Sequence, residues 1–190
     1  MNKVKIHIRF GFVFVLAIAI IIFPIKVIFA WLLAAAFHEI GHILSLSIMG
    51  KGIENISLGF SGASIQTEPM TYKQEILAAA SGPVFGSVLI LFSDYIPMIS
   101  IFAFINTVIN LIPLYPMDGG RVLRGLIYII FKETVARKIC NITFYMQYVM
   151  LLIGGVFVSL KFSTYWILIA TIFFMIKIKL SCKQQWQEIQ

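Results

Sequence analysis

Residues 10–49 read FGFVFVLAIAIIIFPIKVIFAWLLAAAFHEIGHILSLSIM, and this stretch decides the class of the chain. It is apolar except for Lys26, His38, Glu39, His42 and a few serines. As helix, at about 1.5 Å per residue, it would reach roughly 60 Å, twice the hydrocarbon thickness of a bilayer. It therefore predicts two crossings rather than one. Pro24 and Lys26 mark the hairpin between them, because proline interrupts the backbone ladder and a lysine seeks the headgroups.

Working outward, the whole chain has the same character. Of 190 residues 60% are hydrophobic and 12% charged, against about 25% charged in a soluble domain. Mean hydropathy is +0.95. A globule of this size lacks the polar residues to cover so much apolar side chain, so its solvent is lipid. Further spans read as 76–92, 97–113, 142–160 and 165–178. The expected fold is an all-α polytopic membrane protein with about six transmembrane helices, forming one intramembrane domain over 1–190 with no C-terminal regulatory domain.

The lysines and arginines orient it. With a cytoplasmic N-terminus, thirteen of the fifteen fall in inside segments, and only Lys26 and Lys161 lie outside. That positive-inside bias puts both termini in the cytoplasm of a multi-pass cell-membrane protein. It also accounts for the net charge of +7, which therefore does not point to nucleic acid. The first span has the basic start and small-x-small triplet of a signal peptide, but its apolar run continues through Phe23, as an uncleaved anchor does. Cys140 and Cys182 form no C-x-x-C motif and read as packing residues. There is no internal repeat or low-complexity tract. Between spans, residues 52–68 alternate apolar and polar around Ser61-Gly62, the pattern of a short cytoplasmic-side β-hairpin.

The chemistry sits in the second span. In a helix His42 lies about 40° around from His38, and Glu39 about 100° from it, so the three share one arc. Two imidazoles a turn apart can each give a nitrogen to one metal, and Glu39 falls beside that coordination sphere, where a general base is needed. Ionisable groups at membrane depth are costly and usually face a protein interior. Ala34, Ala35, Ala36, Gly41 and Ser45 keep the helix slim enough for neighbours to approach.

A catalytic zinc takes three protein ligands, and no third histidine follows the motif. The candidates are Glu54, Glu68, Glu75, Asp94, Asp118, Glu133 and Glu188. Asp118 stands out because it ends a stretch, from Asn110 through Pro113 and Pro116, in which two prolines break the fourth span. Gly119 and Gly120 then permit a turn with positive φ. Irregular backbone at membrane depth is tolerated only beside protein or a water-filled cavity.

His-Glu-x-x-His in an early span, together with Asn-x-x-Pro-x-x-Pro-x-Asp-Gly-Gly-Arg in a later one, resembles the site-2 protease family of intramembrane metalloproteases. The size and early motif are most similar to the subgroup of the stage IV sporulation protease that processes a pro-sigma factor. The resemblance covers roughly residues 6–180, with its specific motifs at 37–42, 81–83 and 106–121. It implies one zinc ion held by His38, His42 and Asp118, with Glu39 as catalytic base. Asn110 is implied to line the active site as a substrate-binding residue, and Ser81-Gly82-Pro83 resembles the family's Gly-Pro motif. The expected partners are a membrane-associated protein substrate, the lipid bilayer and a membrane-protein regulator. Two other classes use the same residues: a metal-ion transporter, and a pseudoprotease that binds membrane partners without cutting them. Iron or cobalt could take the same ligands.

Overall fold

The computed structural model describes residues 5–59 and 62–161, together with 171, 172 and 175. Six helices and three strands lie among the described residues. The chain divides into two compact units, Met1–Ile112 and Pro113–Gln190.

In the first unit, β1 (Lys5–Ile8) leads into α1 (Phe10–Ile22), and α2 (Ile25–Ile48) follows after Pro24. Proline fixes the break as the pattern predicts: Pro24 is the N-cap of α2, and its carbonyl accepts the Val27 N–H at 2.9 Å. α2 ends at a glycine. Gly50 has φ 67°, the Lys51 N–H reaches Leu46 O at 2.9 Å, and the Gly50 N–H reaches Ser47 O at 3.0 Å. This paired closure satisfies carbonyls that the helix end would otherwise leave without donors.

β2 (Ile53–Gly59) and β3 (Gly62–Thr67) then pair antiparallel with Ile56 opposite Ile65. The expected hairpin is present, but it belongs to a three-stranded sheet in the order β1-β2-β3. β1 pairs in parallel with β2, Lys5 opposite Asn55 and Ile8 opposite Leu58. In the sequence, Lys5 and Arg9 dominate this segment as basic flank. The alternation of Ile6 and Ile8 is too short to read as a strand without a partner. Phe60 and Ser61 lie outside the described residues.

α3 (Tyr72–Ile90) starts on a capping box in which Thr71 and Gln74 each satisfy the other's backbone N–H. α4 (Pro97–Leu111) carries its proline at the start, where the missing N–H is harmless. α2, α3 and α4 pack against one another. Their contact faces are made of small residues, among them Ala30, Ala34, Ala78, Ala79 and Ala103, all buried. Large apolar side chains point outward instead: Ile21 is 84% exposed. A core of alanines and glycines beneath a rind of isoleucine and phenylalanine suits lipid as solvent, because helices in a bilayer associate through close backbone approach.

α2, at 24 residues, and α6, at 29, are long and apolar enough to cross a membrane. α1 and α4 are apolar but shorter, at 13 and 15 residues. The expected sixth span, 165–178, lies outside the described residues apart from 171, 172 and 175, as do Cys182 and Glu188.

In the second unit, α5 (Asp118–Ile130) packs on α6 (Glu133–Lys161). Here the structure corrects the sequence reading. Asp118-Gly119-Gly120 does not form a positive-φ turn; among the described residues only Gly50 and Gly62 take that conformation. The three residues open α5, with Asp118 in its first turn, where a carboxylate meets the positive end of the helix dipole. α5 itself passes unnoticed in the sequence because its arginines read as an inside loop. α6 also begins nine residues before the expected span, at Glu133, whose carboxylate pairs with Arg137 at 3.0 Å.

Candidate active site

His38 and His42 project from one face of α2 and are 3% and 7% exposed. Their rings stand nearly perpendicular, 80° apart, with centroids 4.9 Å apart. The two Nε2 atoms face each other at 3.2 Å. His42 Nδ1 lies 2.7 Å from the carbonyl oxygen of Ala78 on α3. A carbonyl can only accept, so Nδ1 carries the proton and the lone pair of His42 is on Nε2.

The fit to zinc can be tested on this geometry. Two nitrogens each about 2.0–2.1 Å from a tetrahedral zinc stand roughly 3.3 Å apart. The Nε2 separation of 3.2 Å matches that edge. The space they face is left by a glycine. A Cβ on Gly82 would fall 2.3 Å from His42 Nε2 and 2.8 Å from His38 Nε2. α3 therefore presents a bare backbone to both imidazoles. Gly41 does the reverse on α2, where a Cβ would strike Ser81 O at 2.6 Å. The pair of glycines locks the two helices at close range.

Glu39 is half-buried on α2 between the two histidines in sequence. Asp118 is 6% exposed at the start of α5, with Arg121 Nη1 3.6 Å from its Oδ1. A Cβ on Gly120 would meet Tyr115 N at 2.4 Å and Leu114 C at 2.5 Å. The loop after Pro113 thus folds tightly over the first turn of α5 and holds the aspartate there. Asn110 is half-buried in the last turn of α4, and its Nδ2 donates to Asn106 O and Asn106 Oδ1, both at 3.0 Å. Of the expected residues, the structure brings His38 and His42 together with Glu39 beside them on α2. Asp118 belongs to the second unit, at the start of α5.

Sequence reasoning missed several contributors. The Ala78 carbonyl and Gly86 lie one turn on either side of Gly82, on the same face of α3. Small residues at 78, 82 and 86 are the signal, but such a stripe is common wherever membrane helices touch. A backbone carbonyl leaves no trace in a sequence at all.

The fold and the buried histidine pair define a mostly helical protein that carries a His-Glu-x-x-His motif on α2. Residues 87–154 match the model of Peptidase family M50. The matched segment contains Asn110 and Asp118, while the histidine pair lies upstream of it. The chain is 28% identical over 171 residues to a zinc metalloprotease of Methanocaldococcus jannaschii, covering 80% of this chain and 50% of the relative. It thus spans about half the length of the curated relative it matches. It shares the fold of the site-2 protease from Methanocaldococcus jannaschii, with a TM-score of 0.67 and 21% identity, covering 95% of this chain and 91% of that one.

Proposed function

We propose that this chain is an intramembrane zinc metalloendopeptidase that cuts peptide bonds in or near the transmembrane segments of membrane-associated substrate proteins. The observation that carries the reading is the pair of Nε2 atoms held 3.2 Å apart over a bare glycine backbone, with a glutamate beside them. His38, His42 and Asp118 are the proposed ligands. Zinc bound there supplies a Lewis acid for the scissile carbonyl and makes a water acidic enough to attack near neutral pH. The Glu39 carboxylate takes the proton of that attacking water and returns it to the amine nitrogen as the C–N bond breaks. The Ala78 carbonyl keeps the proton of His42 on Nδ1, so the Nε2 lone pair is presented to the proposed metal position. Asn110 is the proposed contact to the substrate backbone, and its side-chain N–H groups donate to Asn106 O and Oδ1 in the preceding turn.

A substrate helix must unwind before its amides can be reached. An unwound segment can add as a strand to a sheet edge. The edges here are β1 and β3, with β2 in the centre. Ile56 and Leu58, apolar residues of the hairpin's first strand, lie on β2. The substrate edge proposed is therefore β3. In an antiparallel strand adjacent N–H groups face opposite ways, so of Ser64 and Ile65 one donates toward β2 and the other outward. Proline at the outward position is expected to lower cleavage with zinc content unchanged. Equal cleavage by both proline variants and the parent would end this role for β3.

The topology proposed with this function is six spans within a single domain over 1–190, both termini cytoplasmic, as the lysine and arginine distribution suggests. The deciding experiment compares membrane proteomes of cells carrying the parent chain and Glu39→Gln. Uncleaved precursors should accumulate with the variant although its zinc content is normal. Identical membrane proteomes, at equal expression, would refute the protease reading.

A further inference from the structure

The face of His38 away from His42 has a neighbour that the mechanism does not use. Thr107, on α4 one turn before Asn110, is 7% exposed. Its Oγ1 is buried with no hydrogen-bond partner among the described residues. Other hydroxyls of this chain bond to a backbone carbonyl: Ser81 to Ala78 O at 2.6 Å, Thr143 to Ile139 O at 2.7 Å, Ser100 to Leu89 O at 2.7 Å. A hydroxyl in a membrane helix normally does so. Thr107 is turned elsewhere.

Gly86 on α3 shows where. A Cβ placed on it would lie 3.0 Å from Thr107 Oγ1 and 3.6 Å from His38 Nδ1. The missing side chain opens a notch into which the threonine hydroxyl from α4 and the Nδ1 edge from α2 both reach. A metal-bound imidazole donates its second N–H outward, and that partner sets the ring's orientation and its basicity. For His42 the partner is the Ala78 carbonyl.

We propose that Thr107 is the corresponding positioning residue for His38, its hydroxyl accepting the Nδ1 proton through one water held in the Gly86 notch. This rests on the metal-site reading of His38 and His42. It extends that site by a third helix, so α2, α3 and α4 each contribute one element to the ligand geometry. An alanine at 86 would crowd the hydroxyl, its Cβ only 3.0 Å from Thr107 Oγ1.

The test measures zinc affinity of the purified full chain by competition with a chromophoric chelator. Thr107→Val, which keeps shape and loses the hydroxyl, is expected to weaken zinc by about tenfold or more, the range seen for lost outer-shell partners. Thr107→Ser should restore affinity to near the parent value, a rescue that a packing role would not give. Gly86→Ala should weaken zinc in the same direction as Thr107→Val. Thr107→Ala keeps the comparison decisive should valine disturb the fold. Unchanged affinity in Thr107→Val and Thr107→Ala would overturn the inference, as would a serine variant as weak as the valine one. A parent chain that binds no zinc would instead refute the metal-site reading beneath it.

Discussion

His42 Nδ1 lies 2.7 Å from the carbonyl oxygen of Ala78, and this bond determines which nitrogen of the ring faces His38. The histidine is on α2 and the alanine on α3, 36 residues apart in sequence. The geometry of the histidine pair therefore depends on the contact between two helices and not on the helical spacing of His38 and His42 alone. Spacing brings two imidazoles to one face. The neighbouring backbone gives one of them a defined tautomer.

The first consequence concerns Gly82. Its absent side chain is what leaves room where the two Nε2 atoms meet, 2.3 and 2.8 Å from the Cβ position. Real Cβ atoms do not approach ring nitrogens so closely, and the rings are fixed by buried packing. Gly82→Ala is expected to displace one imidazole and reduce bound zinc from one per chain to none detectable by elemental analysis. Helical circular dichroism should remain. A variant with full zinc occupancy would show that the space over Gly82 is not the metal position.

Ligand loss and base loss should separate cleanly. His38→Ala or His42→Ala removes a proposed zinc ligand, so both zinc and cleavage should disappear. Glu39→Gln removes only the proton acceptor. Zinc content should stay at the parent level while cleavage of a model transmembrane substrate falls on the order of 10²–10⁴-fold. Treating the parent with a strong chelator should abolish cleavage and lower its thermal unfolding temperature, since an ion held only by the folded state stabilises it. The same treatment should leave the unfolding temperature of His38→Ala unchanged. Elemental analysis, cleavage gels and thermal scans of the four proteins check the set.

Far from the metal, the start of α3 offers a control on stability. Thr71 caps the helix and its capping box with Gln74 is complete. Thr71→Ala is expected to destabilise by about 1 kcal/mol, the usual value for a lost cap. Zinc stoichiometry should not change, because Thr71 lies nearly two turns before Ala78 along the helix. A denaturant titration in detergent measures the first, and elemental analysis the second.

How much of this was legible depends on whether the determinant is local. The lipid environment, the Pro24 break and the histidine pair could be read directly, because each depends on composition or on spacing within one helix. Asp118 could be singled out from the proline pair that precedes it. Its setting could not: two glycines after an aspartate fit a turn or a helix start equally well, and the packing of Leu114 and Tyr115 over Gly120 decides for the helix. β1 escaped for a related reason. Four residues make a strand only when β2 is there to pair with them. The Ala78 carbonyl and the Gly86 notch are contacts between helices, and a single sequence records only that small residues stand there.

Gly120 carries the last prediction. A Cβ there would meet Tyr115 N, Leu114 C and Leu114 O at 2.4, 2.5 and 2.7 Å. All three are backbone atoms, so nothing can swing aside as a flexible side chain would. The loop between Pro113 and α5 must shift as a body, and Asp118, two residues before Gly120, shifts with it. If Asp118 is the third ligand, Gly120→Ala weakens zinc nearly as much as Asp118→Ala does, although it leaves every proposed ligand in place. Combining the two substitutions should then add little, because both remove the same interaction. Chelator competition on the two single variants and the double variant measures this. Zinc binding by Gly120→Ala at parent affinity would mean that the position of Asp118 does not depend on the loop, and losses that add in full would separate the loop from the ligand.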